Sequence, residues 1–439
     1  MTATSLTPIA LALALLAPGP LAALQFGTQQ TPAVTTPVPP PITAIDDIRT
    51  LSDDKLGGRM TGSAGADTAA AYLARRFEQV GLQPAAGGWF QTFTVAKEAP
   101  VAQHAHVGGL RGRNVIGLLP GRDPVLRNQT VIVGAHYDHL GLGGFGSLDP
   151  DSTGKVHNGA DDNASGAAML IRIAQRLAQS PPARTVLFIA FSGEELGLLG
   201  SAHYVKEPIY PLSGIMAMIN LDMVGRMRDQ RLVVYGVRTA KEFPALLDSL
   251  NWHAGFDLKA QGDGYGPSDQ SSFYAVGRPV LHLFTDLHED YHRTTDDWEK
   301  INLEGFDRLS DFTLGLVTAL ANRHTRLTPV DVAAEPAPAS GSGAAALTPG
   351  YGAYLGTIPD MTDSPGGVRL VGVRAGSPAE KAGLRGDDVI TRIGRALVPD
   401  LQAMTDALRS HKPGDTVEIV IRRGTQVTSV RATLGIRGG

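Results

Sequence analysis

The chain of 439 residues is long enough for two or three domains, and its hydrophobic content of 43% is ordinary for a globular protein. Its formal net charge of −4 at pH 7 gives no basic excess of the kind found in proteins that bind nucleic acids or anionic membranes, so neither partner is indicated. The chain contains no cysteine, which excludes thiolate catalysis, disulfides and cysteine-ligated zinc. Any metal ion must therefore be held by His, Asp and Glu side chains.

The first part of the chain has the composition of a targeting segment followed by a tether. Residues 8–17 are apolar over a length typical of a secretory signal peptide and too short to span a bilayer comfortably. Residues 25–41 are rich in Thr, Pro and Gln and cannot bury a core. We therefore predict a signal peptide over residues 1–24, a flexible tether over residues 25–41 and an exported protein, periplasmic or extracellular, with no stable membrane span. A mis-assigned start of the chain or a disordered tail is the alternative.

From residue 42 onward, apolar strand-like segments alternate with segments of helical periodicity. Such alternation is typical of a mostly parallel sheet with helices on both faces. We therefore predict an α/β domain over residues 42–327, with a mostly parallel central sheet flanked by helices. The predicted strands are residues 114–119, 130–135, 185–191, 215–222, 232–235 and 279–284, and the predicted helices are residues 46–52, 66–80, 167–179, 197–206, 241–252 and 302–322.

A second linker composition follows this domain. Residues 328–349 are rich in Ala, Pro, Gly and Ser, which is typical of a flexible connection. The remaining residues, 350–439, contain short β-type segments at 368–373, 388–393 and 416–422 and one amphipathic helix at 401–410. We therefore predict a small, mainly β domain without a catalytic cluster of its own.

Polar side chains of the larger domain follow the ends of its predicted strands. One buried strand ends in His136, and after a glycine-rich loop Asp161 precedes a helix. Because ligands in open α/β sheets bind at the carboxyl ends of strands, these two side chains can meet there. The other strand ends supply Glu194, Glu195, Asp222, Tyr291 and His292. A set of imidazoles and carboxylates of this kind suits two divalent ions, preferably zinc, if one carboxylate bridges them.

Five segments in this order also carry a resemblance to a known family. They are Gly134-Ala135-His136-Tyr137-Asp138-His139, Asn158-Gly159-Ala160-Asp161-Asp162-Asn163-Ala164-Ser165-Gly166, Ser192-Gly193-Glu194-Glu195, Asn220-Leu221-Asp222-Met223 and Tyr291-His292. Together they resemble the motifs of the co-catalytic zinc exopeptidases, which include bacterial leucyl aminopeptidases, glutamate carboxypeptidase and glutaminyl cyclase. The resemblance covers about residues 42–326 and keeps the order of the motifs.

The resemblance implies a role for each strand-end residue. Asp161 would be the carboxylate that bridges two Zn²⁺ ions, and the peptide bond between Asp161 and Asp162 would be cis. Glu194 would be the general base that takes a proton from the attacking water. The remaining ligands would be Glu195 and His292 for one ion and His136 and Asp222 for the other.

Two further side chains have supporting roles in this prediction. Asp138 follows His136 by two residues on an extended segment and suits the role of fixing the imidazole of His136. Tyr291 is expected to donate a hydrogen bond to the oxyanion. The histidines at His139 and His157 lie near the loop, but the sequence assigns neither of them to the site.

The first expectation for activity is an aminopeptidase that removes N-terminal residues from peptides. A carboxypeptidase or a glutaminyl cyclase on the same site is the alternative, and Arg293 could then recognise a substrate carboxylate or could be a surface residue. A protein that binds metal and peptide without catalysis is a further alternative. An intact Glu194 argues against it, because a structural site needs no unliganded base.

The C-terminal domain resembles a bacterial PDZ domain. Residues 376–379 and 382–390 match its core signature, and the loop expected to bind a peptide carboxylate is Tyr354-Leu355-Gly356-Thr357. The resemblance implies that this domain accepts a peptide C-terminus as an added strand. A scaffold that packs without binding a peptide is the alternative.

Overall fold

The computed structural model describes Met1 and residues 42–97, 107–149, 151–262, 264–266, 268–330, 353–359, 366–373, 376–399 and 401–435. The predicted tether lies outside the described residues, as do the predicted signal peptide beyond Met1 and the predicted linker from residue 331 onward.

Nine strands of the described residues form the sheet of the larger domain. They are β1 (Gln83–Pro84), β2 (Phe90–Thr94), β3 (Arg111–Leu119), β4 (Thr130–His136), β5 (Thr185–Phe191), β6 (Ile215–Leu221), β7 (Arg231–Tyr235), β8 (Asp257–Ala260) and β9 (Val280–Phe284). Their order is β1-β3-β5-β4-β6-β9-β7-β8, and β2 also pairs with β3.

The centre of this sheet is parallel and its flanks are antiparallel. β5, β4, β6 and β9 pair in parallel, whereas β3 is antiparallel to β5 and β7 is antiparallel to β9. Every residue of the four central strands is buried. That burial explains why these strands are continuously apolar in the sequence rather than alternating. The predicted fold class is thus confirmed, with antiparallel strands added outside the parallel centre.

Helices cover both faces of the sheet, as predicted. Val131 and Val133 of β4 face one layer, which includes Leu170 and Leu316, whereas Ile132 faces the other layer, which includes Tyr204. The period of two along β4 therefore separates two apolar layers. The helices are α1 (Ala44–Leu51), α2 (Ala64–Gln79), α3 (Gly166–Ala178), α4 (Leu199–Lys206), α5 (Phe243–Ala254), α6 (Gln270–Ala275) and α7 (Leu303–Asn322).

The first two helices are joined by a buried ion pair. Arg76 of α2 donates from Nε to Oδ1 of Asp47 in α1 at 2.7 Å, and from Nη2 to Oδ2 at 3.0 Å. Tyr72 donates to the same carboxylate at 2.6 Å. Because removal of one partner would leave a buried charge uncompensated, this pair fixes α1 against α2.

The C-terminal domain has its own antiparallel sheet and core. Its strands within the described residues are β10 (Thr357–Pro359), β11 (Val368–Val373), β12 (Asp388–Ile393), β13 (Ala396–Leu397), β14 (Thr416–Arg423) and β15 (Gln426–Thr433). Two helices, α8 (Pro378–Lys381) and α9 (Leu401–Arg409), accompany them. Leu355, Ile390 and Ile419 are buried in the core of this domain.

The boundary predicted at residue 327 lies inside hydrogen-bonded structure. The amide of Lys241 donates to the carbonyl of Thr328 at 3.0 Å, and the amide of Val330 donates to the carbonyl of Thr239 at 3.0 Å. The larger domain therefore continues at least to Val330. Among the helices of the described residues, none combines the length and apolar character needed to cross a bilayer.

Candidate metal centre

The predicted site residues meet at the carboxyl ends of the parallel strands. His136 is the last residue of β4, Asp222 follows β6 directly, and Glu194 lies shortly after β5. β4 lies between β5 and β6 in the sheet. The chain passes from β4 to β5 on one side and then crosses from β5 to β6 on the other side, so the strand order reverses at β4. Such a point is the usual position of a ligand in an open α/β sheet.

Asp162 is the carboxylate at the centre of the site. Its Oδ1 lies 3.2 Å from Nε2 of His136, and its Oδ2 lies 3.2 Å from Nε2 of His292. Asp222 Oδ1 lies 3.3 Å from the same nitrogen of His136, and Glu195 Oε2 lies 3.1 Å from the same nitrogen of His292. Asp162 therefore joins the two halves of the site through its two separate oxygens.

The assignment of the bridging position to Asp161 is corrected by this geometry. The Oδ1 atom of Asp161 accepts a hydrogen bond from the amide of Gly225 at 2.6 Å, and its Oδ2 atom lies 3.2 Å from Nε2 of His288. The cis peptide bond lies between Asp162 and Asn163, one residue later than predicted. The central carboxylate and the cis peptide bond thus both lie one residue later in the chain than predicted.

The backbone explains why this shift was invisible in the sequence. Asp162 (φ −108°, ψ 90°) and Asn163 (φ −136°, ψ 46°) are not helical, and the regular helix α3 begins only at Gly166. Helical periodicity therefore cannot decide which of two adjacent aspartates points into the site. Asp296, which is distant in the chain, holds this segment in place. Its Oδ2 accepts hydrogen bonds from the amides of Asp161 and Asp162 at 3.0 Å each.

Both imidazoles of the site have the same arrangement of their two nitrogens. Nδ1 of His136 lies 3.2 Å from the carbonyl oxygen of Asp138, and Nδ1 of His292 lies 2.8 Å from the carbonyl oxygen of Gly146. A carbonyl can only accept, so each Nδ1 carries the proton and donates it. Nε2 is then the nitrogen left to bind a metal ion, which is the usual arrangement of a histidine ligand.

His139 is a buried member of the site that the sequence did not assign. Its Nδ1 lies 2.7 Å from Oε1 of Glu195, and it is 1% exposed. This distance is that of a hydrogen bond, whereas two ligands of one tetrahedral zinc lie about 3.3 Å apart at bond lengths near 2.0–2.1 Å. We therefore assign His139 to holding Glu195, with Oε2 of that residue left free for a cation. The signal was its position three residues after His136, at the same strand end.

Glu194 is buried close to His136, and among the described residues its carboxylate has no partner of opposite charge at hydrogen-bond distance. Its Oε2 lies 3.9 Å from Nε2 of His136. The amide of Glu194 donates to Oδ1 of Asp138 at 3.2 Å. Asp138 therefore holds the segment of Glu194 through its side chain, and it contacts His136 mainly through its carbonyl rather than through its carboxylate, whose Oδ1 is 3.8 Å from Nδ1.

The other two predicted side chains lie at the margin of the site. The ring of Tyr291 stacks on the imidazole of His292 at a centroid distance of 3.8 Å. Its predicted hydrogen bond to an oxyanion stays a prediction. Arg293 donates from Nη1 to Oδ1 of Asp149 at 2.9 Å and to the carbonyl of Leu148 at 3.2 Å. That guanidinium is therefore already engaged by a carboxylate of this chain.

In the absence of a metal ion, protons on the imidazoles offset part of the negative charge of the carboxylates. Burial would lower the pKa of His136, but Glu194 and Asp222 raise it well above its ordinary value. Burial opposes ionisation of Asp162, but hydrogen bonds from His136 and His292 lower its pKa well below the ordinary value. Burial would also lower the pKa of His292, but Glu195 and Asp162 raise it to about 10. Burial raises the pKa of Glu194 well above its ordinary value.

The donor set fits a pair of zinc ions. Two groups of residues, His136-Asp162-Asp222 and His139-Asp162-Glu195, each bring one ligand atom per residue within 4.8 Å of one another, and Asp162 belongs to both. His292 Nε2 lies 3.1 Å from Glu195 and 3.2 Å from Asp162 of the second group. The separations of 3.1–3.3 Å between the imidazole nitrogens and the carboxylate oxygens match the spacing of about 3.3 Å expected between ligands of tetrahedral zinc. Four buried carboxylates, those of Asp162, Asp222, Glu194 and Glu195, also balance the charge of two divalent ions.

Comparison with known proteins agrees with this geometry. Residues 114–317 match the model of Peptidase family M28, and residues 353–434 match the PDZ domain model. The aminopeptidase YwaD of Bacillus subtilis is 29% identical over 239 residues, which cover 52% of this chain and 48% of that protein. The chain spans about half the length of the curated relatives that it matches. The predicted resemblances to zinc exopeptidases and to PDZ domains are confirmed by these matches.

Two solved structures share the fold. A Zn-dependent exopeptidase from Parabacteroides distasonis aligns with a TM-score of 0.53 and 21% identity over 65% of this chain and 99% of that chain. A glutaminyl cyclase from Bacteroides thetaiotaomicron, bound to N-acetylhistamine, aligns with a TM-score of 0.52 and 17% identity over 64% of this chain and 98% of that chain. At these identities the likeness concerns the fold alone.

The two adjacent aspartates give a direct test of the corrected assignment. We expect Asp162→Asn to lose bound zinc, because it removes the negative charge shared by both halves of the site. We expect Asp161→Asn to keep its zinc, because its amide oxygen can still accept from Gly225. Zinc per chain, measured by elemental analysis of the purified variants, distinguishes them. Loss of zinc in Asp161→Asn with full zinc in Asp162→Asn would restore the original assignment.

Proposed function

We propose that the protein is an aminopeptidase that uses two Zn²⁺ ions to remove N-terminal residues from peptides, and the match of residues 114–317 to the model of Peptidase family M28 supports this proposal. The observation that carries the proposal is the contact of the two oxygens of Asp162 with two different imidazoles, at 3.2 Å each. A carboxylate shared in this way suits two ions about 3.5–4 Å apart.

The proposed ligands divide into two sets around Asp162. His136 and Asp222 complete the first set, and His292 and Glu195 complete the second. Bound zinc would lower the pKa of a coordinated water toward 7 and would polarise the scissile carbonyl. Each set has three protein ligands, which leaves room for water or substrate, as catalytic zinc sites require.

Glu194 is the proposed general base. It lies next to Glu195 in the chain and close to the first set, with Oε2 3.9 Å from Nε2 of His136. Its carboxylate would accept a proton from the attacking water and return it to the leaving amine. Burial raises the pKa of Glu194 in the absence of the ions, and two divalent charges nearby would oppose that effect and favour the ionised base.

Among the alternatives, the carboxypeptidase has the least support. It would need a cation that is free to bind the substrate carboxylate. Arg293, the residue that suggested it, donates to Asp149 at 2.9 Å. A glutaminyl cyclase remains the second candidate, because the glutaminyl cyclase of Bacteroides thetaiotaomicron has the same fold.

A panel of peptides tests the proposal. We expect release of the first residue from peptides with a free N-terminal amine, no cleavage of N-acetylated peptides and no cyclisation of N-terminal glutamine. We expect Glu194→Gln to lower kcat by about 10²–10⁴-fold, the usual contribution of a general base, without loss of zinc. Release of amino acids and zinc per chain are the measurements.

The control for this experiment is Glu304→Gln, an exposed glutamate in the first turn of α7, which should behave as the wild type. Cyclisation of N-terminal glutamine without peptide cleavage would support the alternative enzyme. Full turnover by Glu194→Gln would reject the general base.

For the C-terminal domain we propose capture of peptide C-termini. The support is the PDZ match and the loop Tyr354-Leu355-Gly356-Thr357, whose last residue begins the strand β10. Backbone amides of such a loop can bind a carboxylate while the peptide adds a strand to β10. We expect a peptide with a free C-terminal carboxylate to bind more tightly than its C-terminal amide, by calorimetric titration on the full chain. Binding of neither peptide would favour the scaffold, and equal binding of both would reject recognition of the carboxylate.

We also propose that the protein is exported. The support is the apolar segment at residues 8–17 and the Pro/Thr-rich composition of residues 25–41. Fractionation of expressing cells, followed by N-terminal sequencing, checks this. Intact N-terminal residues on a cytosolic protein would reject it.

A further inference from the structure

The loop of residues 57–63 contains a buried arginine with an unusual set of partners. Arg59 is 1% exposed, and its Nε donates to the carbonyl of Tyr137 at 2.7 Å. Nη1 donates to the carbonyls of Leu51 and Asn158, the latter at 2.6 Å, and Nη2 donates to the carbonyl of Gly159 at 2.9 Å. All the recorded hydrogen-bond acceptors of this guanidinium in the described part of the chain are main-chain oxygens.

These carbonyls belong to the segments that carry the proposed bridging and imidazole ligands. Tyr137 directly follows His136, and Gly159 precedes Asp162 by three residues. The fourth carbonyl, that of Leu51, ends α1. One side chain therefore ties two ligand segments to each other and to a helix that the ion pair of Asp47 holds in place.

The same loop reaches a third segment of the site through Thr61. Its hydroxyl lies 3.1 Å from Oδ2 of Asp138 and 3.0 Å from Oγ of Ser192. The other oxygen of Asp138 accepts from the amide of Glu194. The loop thus contacts the segments after β4 and β5 and the segment before α3.

The backbone of the loop is fixed at close range against the site. Gly58 has φ +71°, and a Cβ there would lie 2.2 Å from the carbonyl oxygen of Gly141. The amide of Gly141 donates to the carbonyl of Gly58 at 3.0 Å. Only glycine allows this approach, so the position of Arg59 is set by contacts outside its own side chain.

We propose that Arg59 is a positioning residue of the metal centre, which holds the His136 and Asp162 segments at the separation that the bridging carboxylate requires. The inference rests on the proposed function in taking Asp162 and His136 as ligands of zinc. Arg59 is not one of the proposed ligands, and it acts on them through main-chain carbonyls.

An arginine suits this role better than a lysine. Its planar fork of donors reaches carbonyls on three segments at once, whereas a lysine has three donors on a single nitrogen. Burial lowers the pKa of Arg59 to about 10, against the opposing effect of Asp138, Asp162 and nearby acidic groups. The side chain therefore remains a cation at neutral pH and adds positive charge beside buried carboxylates.

The test compares Arg59→Ala and Arg59→Lys with Arg184→Ala in the full chain. Arg184 is a matched control, because it is also fully buried and donates to main-chain carbonyls, those of Leu320 and Arg323. It differs in position, since it directly precedes β5 and lies at the end of that strand away from Glu194. The readouts are the zinc dissociation constant, by competition with a chelator, the unfolding midpoint of the metal-free chain, and kcat and KM.

We expect Arg59→Ala to bind zinc about 10–100-fold more weakly, the usual effect of losing a group that orients metal ligands, and Arg59→Lys to fall between it and the wild type. Arg184→Ala should lower the unfolding midpoint without changing the zinc affinity. If Arg59→Ala does not fold, Arg59→Lys carries the comparison.

Wild-type zinc affinity in a folded Arg59 variant would overturn the proposal, as would an equal loss of affinity in Arg184→Ala. Absence of peptidase activity in the wild type would instead reject the proposed function, and the zinc affinities would still decide the role of Arg59.

Discussion

Buried negative charge is the constraint on which the architecture of this site depends. Asp162, Asp222, Glu194 and Glu195 are all less than 9% exposed, and together they crowd the carboxyl edge of four parallel strands. Each carboxylate withdrawn from water costs several kcal/mol unless an opposite charge is close by. The imidazoles of the site can carry protons that offset part of this charge, but two divalent ions would offset all of it.

The hydrogen bonds around the site sort its chemically similar side chains into different roles. Glu194 and Glu195 are neighbours in the chain, yet only Glu195 has an imidazole at each of its oxygens, His139 at 2.7 Å and His292 at 3.1 Å. Asp161 and Asp162 are also neighbours, and the amide of Gly225 draws the first of them away from the imidazoles of the site. In both pairs, identical side chains are distinguished by donors that come from distant segments. The local sequence therefore specifies which residue types reach the site, and the tertiary contacts specify what each one does.

This difference between local sequence and tertiary contacts explains which parts of the site could be predicted from the sequence. Central strands that are buried on both faces appear as continuous apolar segments, so their ends, and with them His136 and Asp222, could be located by pattern alone. The choice between Asp161 and Asp162 depends on an irregular turn without periodicity, and it could not be made in this way. His139 contacts Glu195 across 56 residues of chain, and Arg59 contacts Gly159 across 100 residues. Such pairings exist only once the sheet has formed.

The same long-range contacts bear on how tightly the site can bind a metal ion. A metal ion binds more tightly when its ligands are already close together, because otherwise part of the binding free energy is spent on ordering them. Here the ligand segments are held by groups that need no metal. Asp296 binds the amides of Asp161 and Asp162, Asn163 donates to the carbonyl of Leu221 at 3.0 Å, and Arg59 binds the carbonyls on either side of the loop. Main-chain hydrogen bonds thus fix the backbone of the ligand segments without any contribution from a metal ion. The ligand side chains therefore have little freedom left to lose when an ion binds at the edge of the sheet.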